Sequence, residues 1–242
     1  MIIIADAHVD DDRGNDADFF LMLNAFEKND QDLIFLGDIF ELWIALPRYE
    51  KDIHKNFLTW CKEQKKYRTI GFIEGNHEYF VADEKNDHFS WCSAKAMWQD
   101  NKGNLFCHGD QINRRDINYL RFRRLVKNKI AKTIARFLPF GPVISELFKN
   151  YLKKTNPEFR KHLPEDEIAA FANDRFKDGI HSIFAAHFHQ RHHYRSVESR
   201  ALYILPAWMK AEQVTFCEAS SKEINSYHWQ ELEDILADGK TF

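Results

Sequence analysis

Short apolar runs ending in polar clusters alternate with longer stretches of helical spacing in the first half of the chain. Residues 2–5, 33–36 and 69–73 predict buried strands, while 17–28 and 49–65 carry apolar residues at helical spacing. Strands alternating with helices predict a largely parallel sheet covered on both faces. Asp100-Asn101-Lys102-Gly103, between apolar runs at 96–99 and 104–107, reads as the turn of a hairpin. From 117 to about 177 no strand pattern occurs. Amphipathic stretches there are broken at Pro139, Gly141-Pro142, Pro157 and Pro164, which predicts a helical insertion. Strand patterns return at 182–186, 201–205, 214–218 and 224–228, followed by a short polar helix. At 242 residues and 44% hydrophobic, the chain suffices for one domain over 1–242 with the insertion at about 117–177.

Charge changes this picture in one place. Between Arg114 and Lys161 lie fourteen basic and three acidic residues, a local +11 in a chain whose net charge is −3. Such segregation predicts an anionic partner near the insertion: phosphate, nucleic acid or an acidic lipid surface. Within it, 137–144 is apolar and flanked by cations, a pattern suited to a membrane interface, to acyl chains or to packing on the core. Few aromatics interleave the cations apart from Tyr119, Phe122 and Phe137, so a base-stacking platform is disfavoured and nucleic acid is not the expected partner. No apolar run approaches the roughly 20 residues of a membrane span. The apolar start is interrupted by Asp6 and has no basic residues before it, which argues against a secretory signal. Cys61, Cys92, Cys107 and Cys217 form no C-x-x-C pair, as suits thiols in a reducing cytoplasm.

The chemistry lies in five short blocks, each after an apolar run: Asp6-Ala7-His8, Gly37-Asp38, Gly75-Asn76-His77-Glu78, His108-Gly109-Asp110 and Ala186-His187-Phe188-His189. Carboxylate, imidazole and amide donors without thiolate point to two divalent ions of the Mn²⁺, Fe or Zn²⁺ type and exclude a structural zinc. Two ions a few ångströms apart need a shared ligand, and Asp38 is the candidate bridge. Asp6, His8 and His189 would complete one site; Asn76, His108 and His187 would complete the other.

In this order the blocks resemble the calcineurin-like metallophosphoesterases. The resemblance implies an α/β fold of four layers, an α/β/β/α sandwich, with hydroxide attack on phosphorus. It makes His77 the catalytic histidine that stabilises phosphoryl charge or protonates the leaving group. A narrower similarity, carried by Gly37-Asp38-Ile39-Phe40-Glu41-Leu42-Trp43-Ile44 and by His108-Gly109-Asp110 with Asp116, Tyr119, Phe122, Arg123 and Val126, is to the UDP-2,3-diacylglucosamine pyrophosphohydrolases of lipid A synthesis. It implies release of UMP and lipid X, Mn²⁺ as activator, an insertion that cradles acyl chains, and a cytoplasmic enzyme peripheral to the inner membrane. It also implies substrate contacts at Asn76, His77 and Asp116; His187 is a further candidate contact, and Lys153, Lys154 and Arg160, as cations of the insertion, are candidate phosphate or head-group contacts. The chain departs where that family has Arg-Asp after Gly-Asn, having His77-Glu78, and where it has Gly-His-Thr-His-Arg, having Ala186-His187-Phe188-His189-Gln190. The alternative expectation is a divergent phosphoesterase acting on another nucleotide, nucleic-acid or small phosphoester substrate. A non-enzymatic module is disfavoured by the full ligand set.

Overall fold

The computed structural model describes residues 1–155, 163–196, 199–218 and 223–238, without the side chains of 148 and 151–155. The strands are β1 (Ile2–Ile4), β2 (Leu33–Phe35), β3 (Trp43–Ile44), β4 (Ile70–Ile73), β5 (Glu78–Tyr79), β6 (Trp91–Ser93), β7 (Met97–Gln99), β8 (Asn104–Cys107), β9 (Ser182–Ala185), β10 (His192–Arg195), β11 (Ala201–Ile204), β12 (Gln213–Cys217) and β13 (Ile224–His228). The helices are α1 (Asp16–Phe26), α2 (Asp52–Gln64), α3 (Val81–Glu84), α4 (Ile117–Val126), α5 (Lys129–Phe137), α6 (Gly141–Thr155), α7 (Glu165–Lys177), α8 (Trp208–Ala211) and α9 (Trp229–Ala237).

Two mixed sheets stand where the alternation pattern alone predicts one largely parallel sheet. The first runs β13-β12-β1-β2-β4-β6 and the second β10-β11-β9-β8-β7, with β3 and β5 forming a small third pair. Alternate side chains explain the stacking. Ile2, Ile4, Leu33, Phe35, Ile70 and Phe72 pack against α1, α2 and α9. The residues between them, Ile3, Ile34 and Ile73, meet Phe106, Phe184 and Leu205 of the second sheet. On that sheet's far face, Leu105, Ile183, Leu202 and Ile204 pack on Ile168, Phe171, Ala172 and Phe176 of α7. The layers are therefore helix, sheet, sheet, helix. A continuous apolar run reports that both faces are buried but not what buries them, which is why the second sheet is invisible in the strand pattern.

Register aligns the ends that carry the polar blocks. Ile4, Phe35 and Phe72 are lateral partners across β1, β2 and β4. Cys107 and Ala185 are partners across β8 and β9. All five strands are parallel to their neighbours in these pairs and release their next residues at one edge of the sandwich. The C-terminal strands close the structure: Ile2 pairs with Phe216, and Trp208 N–H donates to Ala5 O at 2.9 Å.

Helices α4 to α6 lie outside the layers. Tyr49 Oη donates to Ala135 O at 2.7 Å, Lys132 pairs with Asp83 and Glu84, and Lys149 of α6 reaches Asp10 at 3.2 Å. The charge segregation is thus partly internal wiring. Arg114, Arg115, Arg123, Lys127, Lys132, Arg136 and Lys149 each pair with a carboxylate of the protein. The outward apolar residues have no such cover: Ile130 and Phe137 are each 73% exposed and Phe140 is 77% exposed.

The aromatic centre of the first helical layer is Phe57, whose ring lies 4.9 Å from that of Phe35 and 5.3 Å from that of Phe40. Phe57→Ala is expected to lower unfolding free energy by about 3–5 kcal/mol, through lost burial and the cavity it leaves. Denaturant unfolding reads this, and a loss below 1 kcal/mol would mean the layer collapses around the gap.

Candidate metal centre

The loops after β1, β2 and β9 turn sharply at their polar residues. Asp6, His8, Asp38, His187 and His189 all have positive φ, between 46° and 75°. Non-glycine residues held in this region cost of order 1–3 kcal/mol each and persist only where their surroundings impose them. Here the ties are Asp6 N–H to Gly37 O at 3.1 Å and His8 N–H to Asp38 O at 3.0 Å. Gly75 is required by proximity: a Cβ there would fall 2.2 Å from Asp38 Oδ1.

Glu78 locks the second and third blocks together. Its fully buried carboxylate accepts from the N–H groups of Asp38 (2.8 Å), Ile39 (2.7 Å) and Gly75 (2.8 Å). Burial and the nearby Asp38 charge push its pKa up to about 7. Asp38 Oδ1 accepts from His77 N–H at 2.9 Å, which turns Oδ2 toward the imidazoles.

Three groups of ligand atoms converge, each with its atoms within 4.8 Å of one another: Asp6, His8 and His189; His8, Asp38 and His77; Asp38, His108 and His187. Asp38 Oδ2 lies 3.8 Å from His8 Nε2, 3.8 Å from His77 Nε2 and 3.4 Å from His108 Nε2. A single oxygen thus faces both sides of the cluster. Asn76 Oδ1 is 3.1 Å from His108 Nε2, and His189 Nε2 is 3.4 Å from Asp6 Oδ1. His108 Nδ1 lies 2.9 Å from Leu36 O and His77 Nδ1 2.5 Å from Glu41 O, so with Nδ1 donating to these carbonyls each ring aims Nε2 inward. Backbone carbonyls that fix the tautomer in this way are usual behind metal-bound imidazoles.

The donors fit divalent cations. Asp6 Oδ1, His8 Nε2 and Asp38 Oδ2 are buried atoms with no hydrogen-bond partner. Three orphans at one point are costly unless a cation satisfies them. Electrostatics agree. Burial opposes ionisation of Asp38, yet the charges of His108 and His77 hold its carboxyl well below the usual range. Burial also disfavours charge on His108, but Asp38, Asp6 and Asp110 outweigh it and raise that imidazole to about 10. Burial lowers His8 and His187 to about 4. The carboxylates therefore demand positive charge at this point, and a ligating His108 must release its Nε2 proton to solvent as the ion takes its place.

Seven residues expected as ligands come together: Asp6, His8, Asp38, Asn76, His108, His187 and His189. His77 lies among them, a quarter exposed. Asp116 is the N-cap of α4, accepting from Tyr119 N–H at 2.9 Å. The side chains of Lys153 and Lys154, and all of Arg160, lie outside the described residues. Sequence reasoning gave no role to Glu41, 3.3 Å from His8 Nδ1 and 2.8 Å from Arg13, or to the pair Asp110 and Arg123 at 2.6 Å. It also missed Glu78 and Lys127. Only Glu41, between Ile39-Phe40 and Leu42-Trp43, is an acid inside an apolar segment; the others lie in polar or basic stretches that give no sign of burial.

The family model for calcineurin-like phosphoesterases matches residues 1–191. Among curated relatives, a UDP-2,3-diacylglucosamine hydrolase of Shewanella loihica is 25% identical over 240 residues, covering 93% of this chain and 94% of its own length. The proteins of that name from Azotobacter vinelandii (29% over 154 residues) and Pseudomonas putida (25% over 158 residues) each align with 58% of this chain. In both cases the alignment spans 60% of the relative's length.

Asp38→Ala is expected to remove the one oxygen that faces both sides of the cluster, taking bound metal from two equivalents to less than one. Elemental analysis after gel filtration measures it. Two retained equivalents would exclude a shared role for Asp38.

Proposed function

We propose, from the premise that this chain belongs to the calcineurin-like phosphoesterase family, that it is a metal-dependent pyrophosphohydrolase. The proposed reaction cleaves the phosphoanhydride of UDP-2,3-diacylglucosamine to UMP and lipid X. The observation that carries the reading is the cluster of buried Asp6, His8, Asp38, His108 and His189 with half-buried His187, beneath a helical insertion with an exposed apolar face. The names of the relatives support the substrate. In this reading the chain is one domain with its insertion at about 117–177, of which α4 to α6 lie outside the layers and α7 packs on the second sheet.

Asp6, His8, His189 and Asp38 would hold one ion, and Asp38, Asn76, His108 and His187 the other, with Mn²⁺ as the favoured metal. When bound, such ions supply Lewis-acid charge and an activated water at neutral pH. The protein's own groups do the rest. His77, braced through Nδ1 on Glu41 O, directs Nε2 at the cluster, where the ring protonated on both nitrogens would donate its Nε2 proton to a phosphoryl or leaving-group oxygen. Asn76 fixes the rim on which the phosphate rests. The anhydride bond breaks as a water oxygen bonds to phosphorus, and the bridging oxygen departs with its electron pair. Ile130, Ile134, Phe137, Phe140 and Val143 offer the lipid-facing surface that two acyl chains, or the membrane that supplies them, would cover. No helix among the described residues is long and apolar enough to cross a membrane, so attachment would be peripheral. A nucleic-acid groove is less favoured, because many of the insertion's cations already pair with the protein's own carboxylates.

The test is hydrolysis of UDP-2,3-diacylglucosamine by Mn²⁺-loaded protein in mild detergent, following UMP and lipid X, with metal-stripped protein as control. Metal-dependent UMP release is the expected result. Turnover of an aryl phosphodiester without UMP release would assign the site to another phosphoester. His77→Ala is expected to keep its metal and lose about 10²- to 10³-fold in kcat; loss of metal instead would make His77 a ligand.

A further inference from the structure

Lys127 follows the last turn of α4, yet its side chain is only 7% exposed and points into the protein. Its Nζ donates to Gly75 O and to Glu78 O, the latter at 2.5 Å. Glu74 Oε2 lies 3.7 Å away, and the Tyr79 ring centroid 5.1 Å away. One ammonium thus closes both ends of the four-residue segment that carries Asn76 and His77. Glu78 grips the same segment from the other side by accepting Gly75 N–H.

We propose that Lys127 is a positioning residue, a clamp through which the helical insertion sets the placement of Asn76 and His77. The inference rests on the phosphoesterase reading for its kinetic part only. A buried lysine is retained against its desolvation because it gains charge-assisted hydrogen bonds that an apolar side chain cannot make. Without it, Gly75 O and Glu78 O lose their partner, and the loop between them gains freedom next to reacting atoms. Misplacement by about 1 Å there is worth roughly 100-fold in rate.

The experiment compares Lys127→Met with Lys132→Met. Lys132 also fastens the insertion, through Asp83, Glu84 and the ring of Phe80 at 6.0 Å, all of them beyond the 75–78 loop that Lys127 grips. Two readouts are taken: kcat and KM on whichever substrate the wild type turns over, and backbone amide exchange of the 75–78 segment. Lys127→Met is expected to lower kcat and kcat/KM together by about 100-fold and to speed exchange in that segment. Lys132→Met is expected to do neither. Wild-type kcat and exchange in Lys127→Met, or equal effects from both variants, would overturn the clamp. If Lys127→Met fails to fold, Lys127→Met/Glu74→Gln removes the orphaned carboxylate and is judged by the same criteria. A wild type with no hydrolase activity would sink the phosphoesterase reading, while amide exchange would still decide the clamp.

Discussion

Everything at the metal-binding edge depends on the buried carboxylate of Glu78 and the N–H groups it gathers. Two loops from different strands would otherwise leave the N–H groups of Asp38, Ile39 and Gly75 unpaired in the interior. A buried backbone donor without a partner costs as much as a lost hydrogen bond, and three such donors would pull the loops apart. One side chain removes all three penalties and sets Asp38 beside Asn76 and His77. Histidines from the second sheet then have a fixed target.

Much of this was legible in the sequence, and the reason is periodicity. The five metal-binding blocks stand out because each interrupts an apolar run, and register then carries them to one edge. Strands β1, β2, β4, β8 and β9 follow from those runs. Strands β6 and β10 do not: Trp91-Cys92 is only half-buried and flanked by serines, and His192 to Arg195 is polar, each lying at the edge of its sheet. The left-handed turns at Asp6, His8, Asp38, His187 and His189 were equally hidden, since none is a glycine. They are imposed by tertiary contacts, which local propensity cannot report.

Charge was the least transparent signal. A run of fourteen basic residues invites an external anion, yet Arg123, Lys127, Lys132 and Lys149 are turned inward on Asp110, Glu74, Glu84 and Asp10. Those acids are scattered through the first half of the chain, so the pairing is visible only in three dimensions. What the insertion presents to solvent is more apolar than its composition suggests.

The pairing of β1 with β12 bears on how the molecule assembles during synthesis. Ile2 meets Phe216, and Trp208 caps the loop that starts at Ala5. At ribosomal rates of about 5–20 residues per second, the first strand waits roughly 10–40 s for its outer neighbour to emerge. Through that interval an apolar edge stays open, and the metal-binding loop beyond it lacks one of its supports. Long-range pairing of this kind slows folding and makes a nascent chain prone to mispairing. This chain therefore has a built-in reason to require shielding until its last strands are made.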